Sequence, residues 1–291
     1  MVFFGVFAQQ IALGVVNGIG YALVATGLTL IFGIMNVINF AHGEFYMLGA
    51  FVIYTIITFC NFGYIPALIL TPFIVGGIGM LCETFTVRPL RARPEITLLL
   101  ATMALSLMMV NGAQMIWTGM PKKIPNDFEE ISLALGPVYL TYQRIFIATL
   151  GFGIAISLQQ FLKRTTMGKL MRATAQNQDG SVLVGINIHW VHNFTFGLGC
   201  ALAGISGALL GSTTMIYPYI GQVMVIKAFV IVILGGLGSV PGAILGGIAL
   251  GMVEAIAGGF ISIEYKDVFG YALIITILML KPAGLFGKKR I

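Results

Sequence analysis

The sequence predicts an all-α fold: a polytopic bundle of transmembrane helices with eight or nine membrane segments, some interrupted or re-entrant. Three observations carry this expectation. Of 291 residues, 58% are hydrophobic and only 9% are charged, against about 25% charged in a typical soluble domain. Several apolar runs reach the roughly 18–20 residues needed to cross about 30 Å of hydrocarbon as a helix. These runs fill most of the chain, which a single buried core helix cannot explain.

Candidate spans lie near 8–34, 43–61, 64–87, 97–118, 143–162, 193–216, 223–240, 242–260 and 266–280. The opening run has no basic segment before it, so it reads as a retained span and not a cleaved signal peptide. The first span ends at a polar tract, the third at Arg88-Pro-Leu-Arg-Ala-Arg93, and the fifth at Lys163 and Arg164. A glycine-rich run with Pro241 separates the seventh from the eighth, and Lys281 follows the ninth. The whole chain, 1–291, reads as one transmembrane domain.

Most of the positive charge falls in three loops: Arg88 to Arg93, the stretch with Lys163, Arg164, Lys169 and Arg172, and the tail with Lys281, Lys288, Lys289 and Arg290. By the positive-inside rule all three are cytoplasmic, including the C-terminus. The 119–143 loop balances Lys122 and Lys123 against Asp127, Glu129 and Glu130, so it goes outside. The net charge of +6 is thereby accounted for without a nucleic-acid partner. Cys60, Cys82 and Cys200 fit no metal or redox spacing and read as small apolar residues.

Much of the glycine is spaced four apart, as in Gly14/Gly18, Gly207/Gly211 and Gly247/Gly251. In membranes such faces let helix backbones approach closely. Two places differ. Asn36, Asn39, His42 and Glu44 interrupt an apolar tract, where a charged group at the bilayer centre costs roughly 2.5–3.5 kcal/mol and normally faces a bundle interior or a water-filled path. The run 235–242, with Gly236, Gly238 and Ser239, is too glycine-rich to continue a helix, and Pro241 suits the first turn of a new one. Two interrupted segments in the two halves of a transporter point to its path, so the tract at 36–44 is expected to line it, facing 236–242. A plainer role is open to His42 and Asn39, which can hydrogen-bond a broken backbone.

The 163–192 loop is too long for a simple hairpin. Gly168-Lys-Leu-Met-Arg-Ala-Thr-Ala-Gln reads as a short helix that Asn177-Gln-Asp-Gly breaks. Asp179 or Ser181 can cap a second short helix carrying Val182 and Leu183 and ending at Gly185. Such a capped helix with apolar knobs suits either a partner's groove or the membrane face.

At these residues the chain resembles the permease subunits of bacterial ABC importers for branched-chain amino acids, of the LivH type. The resemblance runs over nearly the whole chain. It rests on Asn39-Phe-Ala-His-Gly-Glu-Phe-Tyr-Met-Leu-Gly-Ala, on Gly168 to Gln176 with Asn177 and Gly185-Ile-Asn, and on Val232-Ile-Leu-Gly-Gly-Leu-Gly-Ser-Val-Pro-Gly. It implies an inner-membrane subunit that pairs with a homologous second permease, two cytoplasmic ABC ATPases and a periplasmic substrate-binding protein. It also implies that the loop, through Gly168, Arg172, Asn177, Asp179, Val182, Leu183 and Gly185, couples to an ATPase. Gly180 departs from the Ala that such loops often carry, which leaves the second helix's boundaries open. Leucine, isoleucine and valine are the implied cargo; related permeases serve urea, amides or other amino acids.

No stretch matches G-x-x-x-x-G-K-[ST], so nothing here can hold nucleotide phosphates and Mg²⁺ in that way. The chain is therefore expected to be no enzyme and to carry no cofactor, with ATP and Mg²⁺ bound by partner ATPases. The rival reading is a self-contained proton-coupled carrier using His42 and Glu44. At about 100° per residue these point roughly 200° apart on one helix, which disfavours a relay.

Overall fold

The computed structural model describes residues 2–126, 131–136, 138–281 and 284. Asp127, Glu129 and Glu130 of the expected outer loop, and Lys288, Lys289 and Arg290 of the tail, lie outside the described residues. Eleven α-helices are described: α1 (Val2–Met35), α2 (His42–Cys60), α3 (Tyr64–Cys82), α4 (Glu95–Trp117), α5 (Tyr142–Arg164), α6 (Thr166–Gln176), α7 (Gln178–Leu183), α8 (Ile188–Gly211), α9 (Ile220–Gly235), α10 (Val240–Phe260) and α11 (Lys266–Leu280). Seven of the described helical segments are long and apolar enough to cross a membrane. At 16 and 15 residues, α9 and α11 fall short of the roughly 20 that a straight crossing needs. The polytopic helical bundle is as expected. A two-stranded hairpin is an addition to it: β1 (Ser132–Leu135) pairs antiparallel with β2 (Val138–Thr141), Ser132 opposite Thr141.

Glycine seams hold the bundle together. A Cβ at Gly14 would lie 2.6 Å from Met252 Cα, and one at Gly18 would lie 2.7 Å from Ile248 Cα. The Gly14/Gly18 face of α1 thus meets the Gly247/Gly251 face of α10, backbone against backbone. A second seam joins α2 to α8, where Gly49 packs on Gly204 and Gly207 on the Tyr46 carbonyl. Without a hydrophobic drive between helices in lipid, this close approach supplies the packing energy. α1, α2 and α8 form the centre of the apolar core, with Phe45 edge-on to Phe196 at 6.1 Å.

Polar contacts sort the helix ends into two groups. At one end Gln9 exchanges hydrogen bonds with the Tyr139 backbone, and Gln143 Nε2 donates to both Tyr64 Oη and Ser212 Oγ. There also the backbones of Lys122 and Ile216 bond to each other, both at 2.8 Å. At the other end α3 runs into a π-helical turn (Glu83–Val87) and a 3-10 turn (Arg88–Leu90). The buried Glu83 carboxylate accepts from Arg88 at 2.8 Å and from Asn193 at 2.9 Å, and Arg91 stands 3.6 Å away. The described basic loops, 88–93 and 163–172, gather at this second end. Gly284, just beyond Lys281, abuts Gly236 there.

Candidate functional site

The first interruption turns the chain back into the bundle. α1 stops where Asn36 takes φ 52°, a left-handed conformation that Asn tolerates better than most residues. Asn39 Oδ1 accepts the Ala41 N–H at 3.1 Å and the Asn39 carbonyl accepts the His42 N–H, so Asn39 shapes the turn. Phe40 N–H donates to Thr102 Oγ1 on α4. The His42 imidazole is buried and its Nε2 lies 3.0 Å from the Val24 carbonyl, which accepts from it. Val24 sits about three turns before the end of α1, so α2 begins inside the bundle. His42 fixes the depth of that start.

Glu44 is 0% exposed. Its Oε1 accepts from Ser106 Oγ on α4 at 2.9 Å, while Oε2 has no hydrogen-bond partner. Opposite it stands Gly221 in the first turn of α9, where any Cβ would collide with the carboxylate. Gly43 packs on the same Gly221 and on Val225. The N-termini of two helices, α2 and the short α9, therefore converge on one buried carboxylate. Helix N-termini carry partial positive charge, and broken-helix N-termini at membrane depth are a recurring device of transport sites. Gln114 of α4 donates to Tyr219 Oη at 2.6 Å beside this point. His42 and Glu44 face different neighbours, α1 in one case and α4 with α9 in the other.

The second interruption lies elsewhere. Gly236 and Gly238 take φ 92° and 82°, and Ser239 caps α10 by accepting the Gly242 N–H at 3.2 Å, with Pro241 in the first turn. Contrary to the expectation, the run does not face Gly43 and Glu44. It faces Gly33, where a Cβ would lie 3.0 Å from Gly238 Cα. The reason is depth: α2 starts three turns back from the end of α1, and only the last turns of α1 reach Gly238. Asn36 lines a recess of about 720 Å³ with Phe32, Ile38 and Glu95. Gly238 and Ser239 line a different cavity, of about 670 Å³. The expected constellation thus divides into four places: Asn36 in its own recess, Asn39 and His42 at the turn that meets α1, Glu44 at the α2/α9 meeting point, and Gly236–Ser239 beside Gly33.

The 163–192 segment carries two short helices. α6 begins after Thr165, whose hydroxyl accepts the Gly168 N–H at 3.0 Å. Gly168 is required because a Cβ there would strike the Phe161 and Leu162 carbonyls at 2.5 Å. The cap of α7 is neither Asp179 nor Ser181. It is Asn177, whose Oδ1 accepts the Gly180 N–H at 2.8 Å, so α7 starts earlier than expected; Asp179 lies in its first turn. Asn177 ends one helix and opens the next. At the far end Gly185 takes φ 81°, with Gly185 N–H bonded to Val182 O and Ile186 N–H to Ser181 O, a Schellman closure. It leaves Leu183 87% exposed, with Val182 and Val184 beside it. Gln178 Nε2 donates to the Ile34 carbonyl at 3.2 Å, tying α7 to the last turn of α1. Arg172 is exposed on α6.

One cluster was not foreseen. Lys227 on α9 is 4% exposed; its Nζ lies 2.6 Å from Glu254 Oε2 on α10 and 2.8 Å from Asp267 Oδ1 on α11. The ammonium also sits 4.8 Å from the Tyr21 ring centre on α1. The available signal was a lone lysine inside an apolar span together with Glu254, since intramembrane charges pair with one another.

Residues 10–278 match the family described as "Branched-chain amino acid transport system / permease component". The chain is 33% identical to the high-affinity branched-chain amino acid transport system permease protein BraD of Pseudomonas aeruginosa, covering 98% of this chain and 97% of that protein. It is 34% identical to the LivH permease protein of the same kind of system in Escherichia coli K12, with the same coverage. A probable LivH of Methanocaldococcus jannaschii is 30% identical over 91% of this chain and 88% of that one. No solved structure matches the chain. With its apolar helices, the chain is an integral membrane protein and belongs to the branched-chain amino acid transport permease family.

Proposed function

We propose that the chain is the membrane-spanning permease subunit of an ATP-driven importer for leucine, isoleucine and valine in the bacterial inner membrane. The observation that carries this reading is end-to-end similarity to permeases named for that cargo, at 98% coverage of the chain. Substrate would arrive from a periplasmic binding protein. A homologous second permease would complete the path, and two cytoplasmic ATPases would bind ATP and Mg²⁺. The 88–93 and 163–172 loops, with the tail, would face the cytoplasm by the positive-inside rule. The 163–192 loop would then be the coupling element, presenting Leu183 to an ATPase, with the Gln178–Ile34 bond leading from α7 to the first interruption.

Glu44 is the group in this path best suited to a substrate ammonium, because one carboxylate oxygen is unpartnered; Gly221 packs directly against that oxygen, so α9 would move aside to admit the substrate. A zwitterion pausing in a dry interior needs its charges satisfied, and a hydrogen bond to a charged group contributes about 1.5–3 kcal/mol. Glu44→Gln is therefore expected to lower the leucine uptake rate about 10–100-fold, with normal membrane insertion and co-purification of partners. Glu44→Asp should retain part of the rate. Unchanged leucine uptake in Glu44→Gln, measured over a range of leucine concentrations, removes Glu44 from the path.

A further inference from the structure

The cavity beside the second interruption has a composition that the transport path does not explain. It lies between the last turns of α1 and α5, helix α6 and the start of α10. Lys163 and Arg172 reach it from α5 and α6, and neither is in an ion pair among the described residues. No Asp or Glu among the described residues lines it. The N-terminus of the 21-residue α10 opens into it at Ser239, and that helix has no acidic residue in its first turn. Thr29 lines the wall at 1% exposure, and its Oγ1 has no hydrogen-bond partner. Gln159 and Gln176 add two side-chain amides, and much of the remaining wall is apolar, with Leu30 within and Leu237 exposed at the mouth.

Two unpaired cations, a helix N-terminus and an orphaned hydroxyl together call for an anion. The apolar wall calls for something more. A free phosphate or carboxylate gains nothing from it, whereas an amphiphile fills both parts. We propose that this cavity binds an anionic phospholipid, its phosphate held by Lys163, Arg172 and the start of α10, its first acyl carbons along Leu30 and Leu237. Basic pockets between transmembrane helices at a membrane boundary serve this chemistry elsewhere. The bound lipid bridges α6 to the Gly238 break, so the site joins the 163–192 loop to the core of the bundle. The inference does not depend on which cargo is carried.

The test uses the full chain with the subunits that co-purify, exchanged into nanodiscs and read by native mass spectrometry for retained lipid. Dioleoylphosphatidylglycerol should be retained well over dioleoylphosphatidylcholine. The double variant Lys163→Gln with Arg172→Gln should bind it about thirtyfold more weakly, each cation near a lipid surface contributing about a factor of five. Lys163→Arg should keep the binding, and Thr29→Val should weaken it. Should the double variant not assemble, Lys163→Gln alone carries the same expectation at about fivefold. Equal retention of the two lipids, or no loss in an assembled Lys163→Gln variant, overturns the proposal. Displacement of the lipid by inorganic phosphate in millimolar excess also overturns it, by assigning the site to a free anion.

Discussion

Replacing Leu183 by Asp is expected to cut ATP-driven uptake by about two orders of magnitude while the protein inserts and folds as before. The side chain is 87% exposed, so the charge costs this chain nothing on its own. Its cost appears when a partner covers it. An unpaired polar or charged group forced into an apolar groove loses several kcal/mol, and each 1.4 kcal/mol is a factor of ten in affinity. Leu183→Met, of similar volume and polarity, should transport normally. ATP hydrolysis by the co-purified complex should lose its response to substrate in Leu183→Asp and keep it in Leu183→Met. A Leu183→Asp variant that transports at the native rate rules out α7 as the docking element.

Lys227→Met should have the largest effect on stability. Met fits the volume, but it leaves the Glu254 carboxylate, 5% exposed, with no cation beside it. Removing one partner of a buried ion pair costs about 3–5 kcal/mol, a large fraction of a domain's total stability. Loss of folded protein in detergent, seen as a fall in the monodisperse chromatographic peak and in melting temperature, is the expected result. The triple variant Lys227→Met, Glu254→Gln and Asp267→Asn should recover most of it, because replacing a whole buried ion cluster is often neutral. Native-like melting of Lys227→Met alone would show that the triad does not hold α9, α10 and α11 together.

How far residues announce such contacts depends on their range. The two faces of the α1–α10 seam were legible because Gly14/Gly18 and Gly247/Gly251 each repeat at helical spacing on their own helix, though that these faces meet each other was not. The two interruptions were legible from Asn36, Gly236 and Pro241, whose backbone preferences are local. The partner of each interruption was not. Whether Gly238 meets Gly33 or Gly43 depends on how deep α2 starts, and that is set by His42 reaching Val24, a contact across 18 positions. The Lys227–Glu254–Asp267 cluster spans 27 and 40 positions over three helices, beyond any spacing rule. At α7 the difficulty was ambiguity: Asn both breaks and caps helices, and at Asn177 it does both.

The central claim, ATP-driven import of branched-chain amino acids through this chain, is tested most directly by labelled leucine uptake. The strain should lack this chain and any redundant leucine system, and be complemented with the native chain. Complementation should restore uptake that persists when a protonophore collapses the proton gradient, stops when ATP is depleted, and is competed by isoleucine and valine but not by urea. Leucine uptake that is unaffected by deleting the chain, or that collapses with the proton gradient while ATP is intact, would contradict it.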